Sequence, residues 1–299
     1  MIRWPRYRAH KQFVAPAIPT AALWRLLAGL VLAVIGYVAL GRMFFQFLYG
    51  LTQQTNPSFV DEVLDGLTPG AMLVMLFSFA FMTMAVVVVV RLIHHRSAFS
   101  LFGPLPMAFR QFRAVIVSLA ALGVVIFVLP PWDMGGAITP NLRVGPWLAL
   151  LPLSLLAVFV QISAEEIFFR GYIQQQLAAR FASPLIWMVL PSALFALGHY
   201  LPGDAGENAL MIALWAGIFG ILMADITARA GSLGPAIALH FYNNVTAILI
   251  VSLPDDLSGL ALYHAPFGLE DAEAIRAWLP VDFAHMFVAW LVARLAIRR

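Results

Sequence analysis

Eight stretches of this 299-residue sequence are so apolar that few folding alternatives remain. They run over roughly 21–49, 70–93, 113–130, 147–178, 185–202, 208–228, 232–253 and 281–297. Most reach the ~20 residues a helix needs to cross the ~30 Å hydrocarbon layer. Inside lipid every backbone N–H and C=O must find a partner, and an α-helix supplies these partners within one segment. The expected fold is therefore all-α: a polytopic membrane bundle of about eight transmembrane helices, read as a single intramembrane domain over 1–299. Composition narrows this further. With 62% hydrophobic and 11% charged residues, the chain departs from soluble domains, which run near about 45–50% and about 25%. The absence of cysteine removes disulfides, thiol nucleophiles, Cys-ligated zinc and iron–sulfur clusters.

The net charge of +3 points to topology rather than to nucleic acid, because arginines gather in alternate loops. Arg3, Arg6, Arg8 and Lys11 precede the first run, and Arg91, Arg96, Arg110 and Arg113 follow the second. Arg180, Arg229, Arg298 and Arg299 follow the fourth, sixth and eighth. The other loops are acidic, with Asp61, Glu62, Asp65, Asp204, Glu207, Asp255, Asp256, Glu270, Asp271 and Glu273; only Arg143 and Arg276 break the pattern. The positive-inside rule then places both termini in the cytoplasm of a multi-pass cell-membrane protein, a bacterial inner membrane being the expected location. Trp4, Trp24, Trp132, Trp147, Trp187 and Trp278 sit near run ends, as interfacial belts require. The segment 254–280 reads as a loop carrying a short surface helix.

Ionisable groups inside a bilayer are costly and mark functional sites. The fourth run holds Glu165, Glu166 and Arg170; the fifth holds His199; the seventh holds His240, Asn243 and Asn244. Glu166 and Arg170 stand at i, i+4 and can pair on one helix face. Glu165 points about 100° away and needs a partner from another helix. His240 and Asn244 also share a face. A carboxylate, two imidazoles and an amide are the parts for activating water and stabilising an oxyanion. Each cluster also has a structural reading: a buried ion-pair network, a packed histidine, or interhelical hydrogen bonding. Their concentration in the C-terminal half favours a site. Asp225 with Arg229 reads as a solvated or snorkelling pair, His94, His95 and His285 as interface residues, and Met72, Met75, Met82 and Met84 as packing.

In order on three helices, Glu165-Glu166-x-x-x-Arg170, Phe195-x-x-x-His199 and His240-x-x-x-Asn244 resemble the CPBP family of intramembrane proteases, also called the Abi or CAAX-protease family. The resemblance covers roughly 150–252, which it marks as the catalytic core. It implies an intramembrane endopeptidase in which Glu165 activates the attacking water and His199 helps hold it. Glu166 would pair with Arg170 in support of the site, and His240 with Asn244 would stabilise the oxyanion. A second view of the family has Glu165, His199 and His240 ligating zinc, as a metalloprotease. Two histidines and a carboxylate suffice for a catalytic ion, although the helix-borne zinc signatures His-Glu-x-x-His and His-x-x-Glu-His are absent. Family substrates range from prenylated CAAX proteins to unknown bacterial targets, so the partner implied is a membrane-associated or lipidated protein or peptide. The competing readings are a proton-coupled carrier and a non-proteolytic scaffold of the same fold. Depth poses a difficulty. Glu165 lies about 22 Å along its helix from Arg180, whereas His240 lies only about 12 Å from Ser232. The first helix must tilt, break or start its span lower for the two to meet; the expected site is in the cytoplasmic half.

Overall fold

The computed structural model describes residues 7–129 and 134–298. Trp4, Trp132, Arg3, Arg6 and Arg299 lie outside the described residues. The protein is a polytopic helical bundle. Among the described residues all eight apolar runs are largely helical, and six helices are long and apolar enough to cross a membrane. These are α2 (Leu23–Thr52), α4 with α5 (Pro69–Leu92, interrupted at Phe79) behind the short α3 (Phe59–Asp65), α6 (Leu105–Val128), the continuous helix Val144–Arg180, the helix Pro202–Ala230 containing α10 (Pro202–Ala205) and α11 (Ala209–Ala230), and α13 (Ala272–Ala296). The long helix consists of α7 (Val144–Glu166), a π-helical stretch (Ile167–Gln174) and α8 (Gln175–Arg180).

The remaining two runs are shorter. The helix Leu185–Gly198, π-helical to Val189 and α-helical as α9 from Leu190, rises only about 21 Å, less than the ~30 Å core. Helix α12 (Gly234–Asn244) with its π-helical continuation Val245–Ile250 rises about 25 Å. His199 directly follows the first of these short helices and His240 lies in the second, so the two motif histidines belong to elements shorter than the layer.

The loop reading of 254–280 is corrected at its second half. Asp271 caps α13 by accepting from the Ala274 N–H at 3.0 Å, and the helix then runs unbroken through Pro280 to Ala296. The first half is tied down by three short strands, β1 (Thr139–Pro140), β2 (Val251–Ser252) and β3 (Tyr263–His264). β3 pairs antiparallel with β1 and parallel with β2, closing the bundle end opposite the N-terminal segment. Arg110 and Arg113, expected in a loop, lie in the first turns of α6, which begins at Leu105 behind Pro104.

The arginine-rich end is closed by the N-terminal segment. α1 (Arg8–Val14) and a 3-10 turn (Ala15–Thr20) fold back under the bundle. The Gln175 amide donates to the Phe13 carbonyl at 2.7 Å, and the Tyr7 hydroxyl donates to Asp225 at 2.7 Å. Asp225 and Arg229, expected to be solvated, pair at 2.7 Å beneath Tyr7, and Asp225 is buried. His94, expected at the surface, is also buried. Its Nδ1 meets Thr20 and Gln176, and its Nε2 meets the Tyr172 hydroxyl at 3.0 Å. At Gly231 (φ +73°) the chain turns through a left-handed residue, and a Cβ there would press on the Ala9 carbonyl. Two apolar clusters fill the interior, one around α2, α5 and α7, the other around α6, α11 and α13. Phe169 and Phe112 pack against both.

Candidate active site

Glu165 and Glu166 end the α-helical part of α7, where the backbone passes into the π-helical stretch. Such stretches often mark functional positions, because the wider turn redirects side chains. The adjacent carboxylates receive different surroundings. Glu166 is fully buried, and its Oε1 accepts from Arg170 Nη1 at 2.9 Å and from His240 Nδ1 at 2.9 Å. Arg170 is buried too; its Nη2 donates to the Gly220 carbonyl of α11 at 3.2 Å, and its guanidinium lies 5.1 Å from the Phe195 ring centroid. Glu166 therefore joins the long helix to α12, and Arg170 joins it to α11. This is the pair expected from the i, i+4 spacing, with His240 as a third member.

The Glu166 contact also fixes the chemistry of His240. A carboxylate accepts only, so Nδ1 carries the proton, and Nε2 remains for the other side of the ring. That Nε2 stands 3.5 Å from Glu165 Oε2. Glu165 retains 9% exposure against 0% for Glu166, so of the two carboxylates only Glu165 reaches open space. Phe219 and Phe195 wall the imidazole, with ring centroids 5.0 and 6.2 Å away and both nearly edge-on.

Asn244 lies one turn beyond His240, and its side-chain amide donates to Gln161 Oε1 at 2.9 Å; the Asn243 side-chain amide donates to Asn244 Oδ1 at 3.1 Å. Gln161 was not singled out from the sequence. The available signal was its place one turn before Glu165, a buried amide on the same face. Nothing in the sequence marked Phe219 as a wall of the site.

His199 stands at the C-terminal end of α9, where its Nδ1 donates to the Phe195 carbonyl at 2.9 Å and satisfies one of the helix's free acceptors. Its Nε2 is left free as an acceptor. The His199 and His240 rings both lie against Phe195, at 4.4 and 6.2 Å between centroids, so His199 reaches the group through Phe195 rather than by direct contact. Glu165, His199 Nε2 and His240 Nε2 are suitable zinc donors in kind. As arranged, they do not fit an ion: among the described residues no group of three or more His, Asp or Glu side chains is gathered so as to hold one.

The depth difficulty resolves at the turn Ala98–Leu101. The Ser100 carbonyl accepts from Gln175, and the Phe102 carbonyl accepts from the Leu233 N–H. Gln175 and Leu233 thus stand at one level, and α8 projects beyond it to Arg180. Counted from that level, Glu166 lies about 13 Å and His240 about 11 Å along their helices. The long helix starts its span lower, as one of the three expected solutions required.

Residues 146–246 match the Rce1-like family, described as type II CAAX prenyl endopeptidase. The resemblance carried by the three motifs holds. The matched segment begins in the first turn of α7 and ends just past Asn244, so it contains the side chains that surround Glu165 and His240. Uncharacterized protein YyaK of Bacillus subtilis (strain 168) is 24% identical over 259 residues, covering 83% of this chain and 84% of its own. That similarity extends well beyond the Rce1-like segment into the outer helices. No solved structure matches the chain.

Proposed function

We propose that the protein is an intramembrane endopeptidase in which Glu165 is the general base. The observation that carries this is the unequal treatment of two adjacent carboxylates. Glu166 is held through Oε1 by Arg170 and His240 and is fully buried, while Glu165 keeps 9% exposure beside His240 Nε2. A water bridging Glu165 and His240 Nε2 finds only acceptors, so both its protons are held and its oxygen lone pair is left for attack, with His199 acting from behind Phe195. As that oxygen bonds to the scissile carbonyl carbon, one proton passes to Glu165 and the carbonyl π pair moves to oxygen. Asn244 Nδ2, with one N–H spent on Gln161, has the other for the oxyanion. Collapse breaks the C–N bond, and the departing nitrogen takes the proton from Glu165. These transfers need only the chain's own side chains.

The proposed substrate is a membrane-associated or lipidated protein or peptide, which the membrane itself would bring to the site. The positive-inside rule puts the arginine-rich end, with both termini and the site about 11–13 Å above it, on the cytoplasmic side of a cell membrane. Comparing protein N- and C-termini in membranes from cells making wild type or Glu165→Gln at matched levels tests the reading. New termini with wild type alone are expected. The same termini from Glu165→Gln would overturn the role of Glu165. Chelation with and without zinc add-back, on the same readout, tests whether an ion takes part.

A further inference from the structure

The site is poor in hydrogen-bond donors. Glu165, His199 Nε2 and His240 Nε2 are acceptors, and Asn244 has one N–H left. An oxyanion is normally held by more than one donor. The missing donor can be traced to α2, outside the Rce1-like segment. The buried positions of α2 are Leu26, Gly29 and Ala33, a single helical stripe that Tyr37 continues one turn further. Gly29 sets the register, because a Cβ there would run into the Tyr172 hydroxyl, so α2 and the helix Val144–Arg180 touch at that point.

The two helices run in opposite directions. α2 leaves the arginine-rich end, where Arg25 donates to the Ile93 carbonyl, and the long helix arrives there at Gln175. From Gly29 to Tyr37 α2 rises about 12 Å, and from Tyr172 back to Glu165 the long helix rises about 10 Å. Tyr37 and Glu165 therefore stand at one level, and they lie within electrostatic reach of each other. α2 packs mainly along α5, with Gly36 against Ala85 and Phe44 against Phe81. Tyr37 is half-buried, and among the described residues its hydroxyl makes no hydrogen bond.

We propose that the Tyr37 phenol is a catalytic hydrogen-bond donor that takes the scissile carbonyl oxygen of an extended peptide from the α2 side while Asn244 takes it from α12. This rests on the endopeptidase reading. The phenol keeps its proton throughout: the oxyanion forms as water attacks, accepts the O–H hydrogen bond, and loses it when the C–N bond breaks.

Two measurements test the proposal. The chain has no cysteine, so Tyr37→Cys with Glu165→Cys can be bridged in intact membranes by a short bis-thiol reagent without background. Bridging is expected for this pair and not for Ile35→Cys with Glu165→Cys, since Ile35 points about 160° away and is exposed. In the terminal comparison, Tyr37→Phe should lower product formation roughly 100-fold at wild-type protein level and melting temperature. Absence of the cross-link overturns the proposal. So does full product formation by Tyr37→Phe where Glu165→Gln forms none. Products surviving in Glu165→Gln would overturn the general-base role of Glu165 and the Tyr37 role that rests on it, while the cross-link would still report the geometry.

Discussion

At the residue scale the molecule separates two neighbouring glutamates by partner rather than by type. Glu166 carries the structural load. With Glu166→Gln the fully buried Arg170 loses its counter-charge, and breaking such a pair costs about 3 kcal/mol. A large fall in melting temperature in detergent is the expected result, whereas Glu165→Gln should melt like wild type. A second residue-scale case is His10, which stacks between Phe13 and Trp187 with its Nε2 buried and unpartnered. Burial pushes its pKa down to about 4. Replacing it by Phe removes the orphaned nitrogen and keeps the aromatic contacts, so His10→Phe should stabilise the protein by roughly 1 kcal/mol. Thermal unfolding of the variant at neutral pH checks this. The Glu166–Arg170 pair was legible in the sequence because i, i+4 spacing is a property of one helix. His240 as its third member was not, because that contact joins residues 74 apart in the chain.

At the scale of elements, motif residues are positioned by where helices end or change pitch. The π-helical stretch begins right after Glu166, α9 ends at His199, and α12 turns π-helical right after Asn244. Apolarity located these helices but not their ends, since an apolar run looks alike whether or not its helix crosses the bilayer. Close approach of α2 to the long helix depends on Gly29. Gly29→Val would push against Tyr172 and Val89 and disturb the Tyr172–His94 contact. A loss of about 1–3 kcal/mol is expected, as for other overpacked positions. Denaturation of the variant measures it, and the Tyr37–Glu165 cross-link should weaken in the same background.

At the scale of the whole molecule, the two ends respond to acid with opposite sign. At the arginine-rich end, burial holds both His10 and His94 near a pKa of about 4, with the charges of Arg96 and Arg25 adding to the effect at His94. The Gln176 N–H already points at His94 Nδ1, so a second ring proton would face that donor. A histidine with a depressed folded pKa contributes stability that is fully present above about 6.5 and is lost as pH falls toward 4. At the other end, burial raises Asp256 to about 6, helped by Asp255 and Asp204. Its raised pKa means the folded state gains stability as pH falls through 6. Hydrogen exchange at pH 5 against pH 7.5 should show weaker protection in 7–20 and 93–101 and stronger protection in 254–268. Uniform change at both ends would contradict this.

The contrast between chain order and packing is sharpest here. Apolar run length, arginine placement and motif spacing are local or one-dimensional quantities, and they were enough for a helical membrane bundle, its polar faces and a family resemblance. Whether a polar group is buried depends on which segment folds over it. The return of Tyr7–Thr20 beneath the bundle buries Asp225 and His94, the turn Ala98–Leu101 brings Gln175 and Leu233 to one level, and Gly29 lets α2 meet the Tyr172 hydroxyl. Each of these joins segments far apart in the chain, and no periodicity encodes such a contact, so the tertiary structure alone decided them.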